Sequence, residues 1–112
     1  MTTLNLTHKK GDTFQEMLFE IIYNGMPLDL NGAAIKMQLR KTAGGLVALD
    51  LSIGNGITMV DADFALFKID TQIINIEAYD YLYDIQIVAG SLANAVNTWI
   101  SGFFKITNDI TR

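Results

Sequence analysis

Alternation of apolar and polar residues is the feature that most constrains the fold of this chain. It is clearest at residues 33–41, where one apolar and one polar series interleave: Ile35, Met37 and Leu39 with Lys36, Gln38 and Arg40. Successive side chains of a β-strand point to opposite sides, so this spacing predicts a strand with one buried face. Clusters of Gly, Asn and Asp interrupt the pattern repeatedly, which is typical of strands joined by short turns.

Seven to nine such strands, spaced roughly 8 to 12 residues apart, predict an all-β sandwich. The predicted strands cover residues 3–7, 14–23, 33–41, 46–53, 57–60, 64–70, 79–89 and 96–107. Residues 71–80 fit either a single helical turn or an irregular crossover. A chain of 112 residues, half of them hydrophobic, is the size of one domain, so residues 1–112 are expected to form a single core.

Residues 14–23 differ from the other predicted strands because both of their faces carry large apolar side chains. Met17, Phe19, Ile21 and Tyr23 share one face, and Phe14, Leu18 and Ile22 share the other, which also holds Glu16 and Glu20. This pattern predicts a central strand or one covered by a partner.

The segment NGMPLDLNG, residues 24–32, contains the only proline of the chain. Asn24-Gly25 and Asn31-Gly32 each predict a turn, and Pro27 fixes its own φ and removes a backbone donor. We expect the segment to reverse the chain, with Asp29 acting as a loop-fixing acceptor and not as a catalytic acid.

Composition argues against several classes of function. The net charge is −4 and the eight basic residues are scattered, which does not suit nucleic-acid binding. Without cysteine there is no disulfide, thiolate nucleophile or sulfur-ligated metal site. The first residues lack the features of a signal peptide, and no run approaches the ~18 apolar residues of a membrane span, so we expect a protein made and kept in a cytoplasm, without membrane insertion.

Candidate catalytic or metal-binding groups are few. The single histidine, His8, stands beside two lysines and is interpreted as a solvated turn residue. Two pairs of acids, Asp61 with Asp63 and Asp80 with Asp84, raise glycoside hydrolysis or a calcium site. An acid at a strand end more commonly caps its own backbone. We therefore expect no enzyme, no catalytic residue, no cofactor and no metal, with a calcium-stabilised accessory domain as the weakest alternative.

Aromatic residues are better candidates for a binding or contact surface than the acidic residues are for a catalytic site. Tyr79, Tyr81 and Tyr83 recur with period two and are expected to line the core. By parity, Trp99 and Phe103 lie opposite an apolar face formed by Val96, Ile100, Phe104 and Ile106. Either a bulge at Ser101-Gly102 exchanges the two sides, or Trp99 and Phe103 form an outward apolar patch. Trp99 is thus assigned equally to partner contact and to the core.

Several motifs together resemble the small immunoglobulin-like proteins of tailed phages and prophages, in particular the N-terminal domain of phage baseplate upper proteins. They are the loop pattern Gly25, Pro27, Asp29, Leu30 and Gly32, the basic pair Arg40 and Lys41, the pair Tyr83 and Asp84, and the closing segment GFFKITNDIT at residues 102–111. The resemblance covers essentially the whole chain. It implies an immunoglobulin-like antiparallel β-sandwich.

The resemblance implies a noncatalytic structural or connector protein of the virion, in the tail, baseplate or head-tail region. Its expected partners are itself, as a homo-oligomer, and other phage structural proteins, and its expected locations are the virion and, during assembly, the host cytoplasm. Because the sequence ends at residue 112, a stand-alone component is expected before a full baseplate protein. Expected contact residues are Trp99, Phe103, Leu18 and Ile22. The alternative is a carbohydrate-binding or adhesin module in which Trp99 stacks with Tyr79 or Tyr81.

Overall fold

The computed structural model describes residues 2–108, and within them the protein is all-β. Its strands are β1 (Thr2–Thr3), β2 (Leu6–Lys9), β3 (Thr13–Phe14), β4 (Met17–Glu20), β5 (Ile22–Tyr23), β6 (Met26–Pro27), β7 (Ala34–Arg40), β8 (Val47–Ile53), β9 (Gly56–Asp61), β10 (Leu66–Ile69), β11 (Gln72–Ile73), β12 (Tyr79–Val88) and β13 (Val96–Thr107). Short 3-10 turns lie at Ala62–Phe64 and Gly90–Leu92. Residues 109–111 of the closing motif lie outside the described range.

One nine-stranded sheet contains most of these elements, in the order β1-β13-β12-β7-β8-β9-β10-β4, with β2 also paired to β13. The pairs β3–β11 and β5–β6 lie outside it. A wholly antiparallel arrangement was expected, and this is wrong, because β1–β13, β2–β13 and β8–β9 are parallel. The alternation of apolar and polar residues shows to which side of the sheet a side chain points. It does not show the direction of the neighbouring strand, so the sequence pattern could not distinguish parallel from antiparallel pairing.

The sheet consists of two groups joined by a short link. One group runs from β1 and β2 through β13, β12 and β7 to β8, and the other contains β9, β10 and β4. The link, β8–β9, holds only the residue pairs Ser52↔Gly56 and Ile53↔Ile57, next to a tight turn. The two groups can therefore face one another across a common core.

The inner faces of β7 and β12 form the centre of that core. As predicted, Ile35, Met37 and Leu39 are buried, and so are Tyr81, Tyr83, Ile85 and Ile87; the core position predicted for Tyr79 is wrong, since this first residue of β12 is exposed. The two series lie side by side, since Met37 pairs with Ile85 and Leu39 with Tyr83. Burial of each large apolar side chain contributes about 1.5–3 kcal/mol, and a slip of one residue would turn the whole series outward.

Residues 14–23 do not form the single strand that the pattern predicted. They divide among β3, β4 and β5, because each piece pairs with a different neighbour: β11, β10 and β6. The buried members come from both predicted faces, Phe14 from one and Phe19 and Ile21 from the other. Each short strand buries its own apolar residues against a different neighbour. Apolar residues on both predicted faces therefore did not mean that residues 14–23 form one central strand.

Two other local predictions have different outcomes. His8 belongs to β2, where its Nε2 lies 2.9 Å from the Asp12 carbonyl oxygen, so its assignment to a solvated turn is wrong. Residues 71–80 form an irregular crossover containing β11, and no helical turn occurs in them. The crossover still contributes to the core, because Ile74 is buried.

The proline loop reverses the chain and also anchors it. Asn24 and Gly25 both have positive φ, 53° and 77°, and form the tight turn between β5 and β6. Beyond the turn, Leu28 and Leu30 are buried, and the Leu30 N–H donates to the Ala62 carbonyl at 3.0 Å. The loop is therefore part of the packing as well as a connection.

β13 contains a bulge, but at Trp99 and not at Ser101-Gly102. Ile85 pairs with Ile100 and Gln86 with Thr98, which leaves Trp99 as the extra residue. The bulge exchanges the faces of β13, so Val96, expected beside Ile100, is 66% exposed whereas Ile100 is buried.

Gly102 allows the N-terminal segment to lie against β13. A Cβ at residue 102 would collide with the Leu4 carbonyl oxygen and lie 2.8 Å from Asn5 Oδ1. At this crossing the Leu4 N–H donates to the Ser101 carbonyl at 2.9 Å, and the Phe103 N–H donates to Asn5 Oδ1 at 3.0 Å. Absence of a side chain at Gly102 is therefore required for β1 and β2 to pair with β13.

The buried Tyr83 holds the same crossing from inside. Its hydroxyl donates to the Leu4 carbonyl at 2.5 Å, and its ring meets the Phe104 ring edge-on with centroids 6.2 Å apart. Burial raises the pKa of Tyr83 to about 12.

Gly102→Ala should lower the free energy of unfolding by about 1–3 kcal/mol, because the added methyl group displaces the Leu4 carbonyl. Urea denaturation measures this change. The matched control is Gly90→Ala, since the nearest atom to its added Cβ, Asn94 Oδ1, is 3.8 Å away. Equal stability of the two variants would show that the crossing does not depend on Gly102.

Tyr83→Phe should cost about 1 kcal/mol at neutral pH through loss of the hydrogen bond to Leu4. In this variant the free energy of unfolding should also decrease less steeply as pH rises in the alkaline range. The unfolded chain ionises Tyr83 near its ordinary pKa of 10.0, but the folded chain keeps the proton until about pH 12. The contribution of Tyr83 is complete below pH 10 and is lost as pH rises through this window.

Urea denaturation at a series of pH values across that window measures the slope. The control is Tyr79→Phe, at a side chain that is 43% exposed; this variant keeps the Tyr83–Leu4 hydrogen bond and should keep the alkaline loss of stability that Tyr83 causes. If Tyr83→Phe left the slope unchanged, ionisation of Tyr83 would not be the cause of the alkaline destabilisation.

Candidate interaction surfaces

The structure separates the four predicted contact residues into two regions. Leu18 and Ile22 lie on or beside β4 at one end of the sheet and are 58% and 48% exposed. Trp99 lies near Ile22, in the bulge of β13. Phe103, 52% exposed, lies on the outer face of the sheet opposite Leu82. Trp99 and Phe103 therefore do not form the single outward patch that parity allowed.

The first region contains a cavity that we call the edge slot. Its lining comes from three places: Thr2 and Leu4 in the N-terminal segment, residues 19–22 in and after β4, and Trp99 with Ile100 on β13. Its volume is about 250 Å³. Since β1 and β4 are the two ends of the sheet order, the curl of the sheet brings its opposite ends to the two sides of this slot.

The gap between the two ends is closed farther along by the pair β3–β11. The Gly11 N–H donates to the Ile74 carbonyl at 2.8 Å, and the Phe14 ring packs against Phe104 with centroids 5.9 Å apart. Phe14 also meets His8 on β2, with ring centroids 5.5 Å apart. These contacts cover the core beside β2, so the slot is the part of the gap that lies beside β1.

Trp99 combines the two roles that the sequence left open. Its ring packs against the buried core and meets the Tyr23 ring edge-on, with centroids 5.9 Å apart. It also lines the edge slot. Its indole N–H is buried but has no acceptor among the residues that the structure describes. An unpaired buried donor costs about 1–3 kcal/mol, so this N–H lowers the stability of the fold.

The second region is the outer groove, which Tyr79 and Phe103 line together with Asp80, Leu82 and residues 41–43. Its volume is about 550 Å³. Asp80 and Lys105 also line a neighbouring groove that Phe103 borders. The outer groove thus offers exposed aromatic rings bordered by both signs of charge.

Lys41 is held at the end of this groove by Glu77. Its Nζ lies 2.5 Å from the Glu77 carboxylate and 4.9 Å from the centre of the Tyr79 ring. The hydrogen bond raises the pKa of Lys41 and lowers the pKa of Glu77, so both groups are charged at neutral pH. The cation covers one face of Tyr79.

Trp99 does not form a stacking platform with either predicted tyrosine. Tyr81 is 1% exposed and donates its hydroxyl to the Glu77 carbonyl at 2.6 Å. Tyr79 pairs with Ile106, and Trp99 lies seven residues earlier on β13, a separation of roughly 20 Å along a strand. Tyr79 and Phe103 are the two aromatic side chains that line the outer groove.

The acidic residues near the proline loop fix backbone conformation. Asp61 accepts the N–H of Asp63 at 3.2 Å at the start of a 3-10 turn. The Asn31 side-chain amide donates to Asp29 at 2.8 Å and to Asp63 at 2.6 Å. Hydrogen bonds from the backbone and side chain of Asn31 lower the pKa of Asp29. Asp29 is therefore a loop-fixing acceptor, as predicted.

The other acidic pair is spread along a strand. Asp80 and Asp84 are four residues apart on β12, which places them roughly 13 Å apart. That separation exceeds the ~5–9.5 Å of paired glycosidase carboxylates. In residues 2–108 no three His, Asp or Glu side chains are grouped closely enough to hold a metal ion. In the same range, no helix has the length and apolar character needed to cross a bilayer.

The protein-family models and the curated proteins that were compared with this chain give no match.

Sequence reasoning missed Leu4 and Glu20 as parts of the edge slot and Tyr79 as the neighbour of Phe103. Glu20 had a signal, because it is a charged residue inside an otherwise apolar run. Leu4 had none, since its place in the slot depends on parallel pairing with a strand almost 100 residues later.

Trp99→Ala should lower the free energy of unfolding by about 3 kcal/mol, because the ring packs on the core. Phe103→Ala should change it by less than about 1 kcal/mol, since its ring is half exposed. Chemical denaturation of both variants measures the difference. A small cost for Trp99→Ala would mean that the ring is a surface group only.

Proposed function

We propose that this protein is a noncatalytic structural or connector protein of a tailed-phage virion, which assembles with itself and with tail, baseplate or head-tail proteins. The proposal rests on the sequence resemblance and on one structural observation. Large apolar side chains, among them Leu18, Ile22 and Phe103, are exposed beside sheet edges and on the sheet face. Such surfaces are typical of proteins that bury them against partners.

The fold proposed with this function is an immunoglobulin-like sandwich. Its two layers would be the two strand groups that meet at the β8–β9 link. Two observations support this assignment. The link is only two residue pairs long, and core rings come from both groups: Phe19 and Phe67 from one, stacked at 5.3 Å, and Tyr83 and Phe104 from the other. Strands that change layers at a tight turn are compatible with a sandwich.

Self-association is assigned to the outer groove. Around Phe103 lie Asp80 and Lys105, and Lys41 lies at the other end of the groove. In a twofold contact the same patch meets itself, so lysines of one copy can face the aspartate of the other while the Phe103 rings are buried. The protein would act in the virion and would be found in the host cytoplasm during assembly.

A carbohydrate-binding or adhesin module is the second candidate, and the presence of Tyr79 and Phe103 in the lining of one groove favours it. Exposed aromatic rings can stack on sugar rings, and Asp80 and Lys41 supply hydrogen-bonding groups in the same groove. Since both candidates use this groove, they differ in what covers Phe103.

Sedimentation velocity over a range of concentrations should show oligomers heavier than the 12.4 kDa chain. Phe103→Ser should weaken self-association by about tenfold or more, because a buried aromatic anchor is lost. Leu46→Ser is the control, since Leu46 is 95% exposed and lies outside both regions. It should leave the association constant unchanged.

A strict monomer at all concentrations would contradict self-assembly. If that monomer also bound an oligosaccharide in calorimetry, and if Phe103→Ser abolished the binding, the carbohydrate-binding candidate would replace the structural one.

A further inference from the structure

We propose that the edge slot accepts an extended segment of a different protein, with alternating apolar side chains and a basic residue that pairs with Glu20. This inference rests on the proposed assembly function and specifies the kind of partner. The segment would add a strand between β4 and the N-terminal segment, where the curled sheet is open.

The backbone of β4 supplies hydrogen-bonding groups with the spacing of a strand. The Ile21 N–H donates to the Ala65 carbonyl at 3.1 Å, and the same register pairs Phe19 with Phe67. Because hydrogen-bonded and non-hydrogen-bonded pairs alternate in an antiparallel ladder, the N–H and C=O groups of Leu18 and Glu20 point away from β10. These groups form the open edge that an added strand would complete.

The lining of the slot indicates an apolar segment. Leu4 and Ile22, both exposed, stand on opposite sides of it, and Ile100 and Trp99 form part of its wall. A strand inserted here covers these side chains with its own alternate residues.

Charge disfavours a second copy of this chain that pairs symmetrically through β4. Symmetric antiparallel pairing of β4 with its copy places Glu20 opposite Glu16 when centred on Leu18, opposite Glu20 when centred on Glu20, and opposite Leu18 when centred on Phe19. Directly opposed like charges destabilise a sheet, and the third register desolvates a carboxylate against an apolar side chain. Each of these three registers therefore carries a penalty.

The same carboxylate favours a basic partner. Glu20 lines the slot, whereas Glu16 is already paired with Lys68 at 3.3 Å. Within the described range no hydrogen bond or ion pair involves the Glu20 side chain. A Lys or Arg opposite it gives the favourable cross-strand pair that β4 cannot obtain from its own copy.

The test uses a synthetic peptide of roughly eight residues, alternating Val and Thr with one central Lys. Emission from Trp99, the only tryptophan, reports occupancy of the slot, and NMR hydrogen exchange reports protection of the Leu18 and Glu20 amides. We expect both signals to change on titration. A peptide with proline at its centre is the control for strand formation, and it should change neither.

A charge exchange tests the role of Glu20. Glu20→Lys should weaken binding of the lysine peptide by about two- to fivefold and strengthen binding of a peptide with Glu at that place by a similar factor. The matched control is Asp50→Lys, on the outer face of β8, which should alter neither affinity.

The inference would be overturned if the peptide left the Leu18 and Glu20 amides unprotected, if the proline peptide bound equally well, or if Glu20→Lys did not change the preference. It would also be overturned if those amides became protected with rising protein concentration alone, because a second copy would then occupy the slot. None of these outcomes affects oligomers that form through Phe103. Failure of the strand-binding proposal can therefore be distinguished from failure of the proposed assembly function.

Discussion

β13 is the element on which the rest of the structure depends, because β12, β1 and β2 all hydrogen-bond to it. One extra residue at Trp99 places Ile100, Phe104 and Ile106 on the core face, and the missing side chain at Gly102 admits the Leu4 carbonyl. Bulges bend and twist the strand that carries them, so the curl that brings the sheet ends to one slot is consistent with the bulge at Trp99.

The central part of this fold was predictable because it depends on local pattern alone. In β7 and β12 each side chain alternates between core and solvent, and the inward faces of Met37 and Ile85 follow directly. The turn at Asn24 and Gly25 was predictable for a similar reason, since few residues accept positive φ. In both cases the information lies within a few residues of the chain.

Where the prediction failed, the decisive contact was distant in sequence. The parity of Val96 was assigned from Ile100, and one bulged residue between them reversed it. His8 follows a turn-like composition but lies in a strand because β13 pairs with it in parallel. The candidate surface shows the same division. The apolar pattern indicated Ile22, but the slot that Ile22 lines is formed by residues from both ends of the sheet.

The open edge of β4 reflects a balance between association and solubility. An uncovered apolar strand edge invites pairing with any extended chain, and proteins commonly protect such edges with charge. Here Glu20 lies beside the exposed Leu18 and Ile22, and the covered length of β1 is limited because the chain must cross Gly102 between β1 and β2. The crossing at Gly102 fixes the N-terminal segment on β13, and the slot lies between that segment and the charged edge of β4.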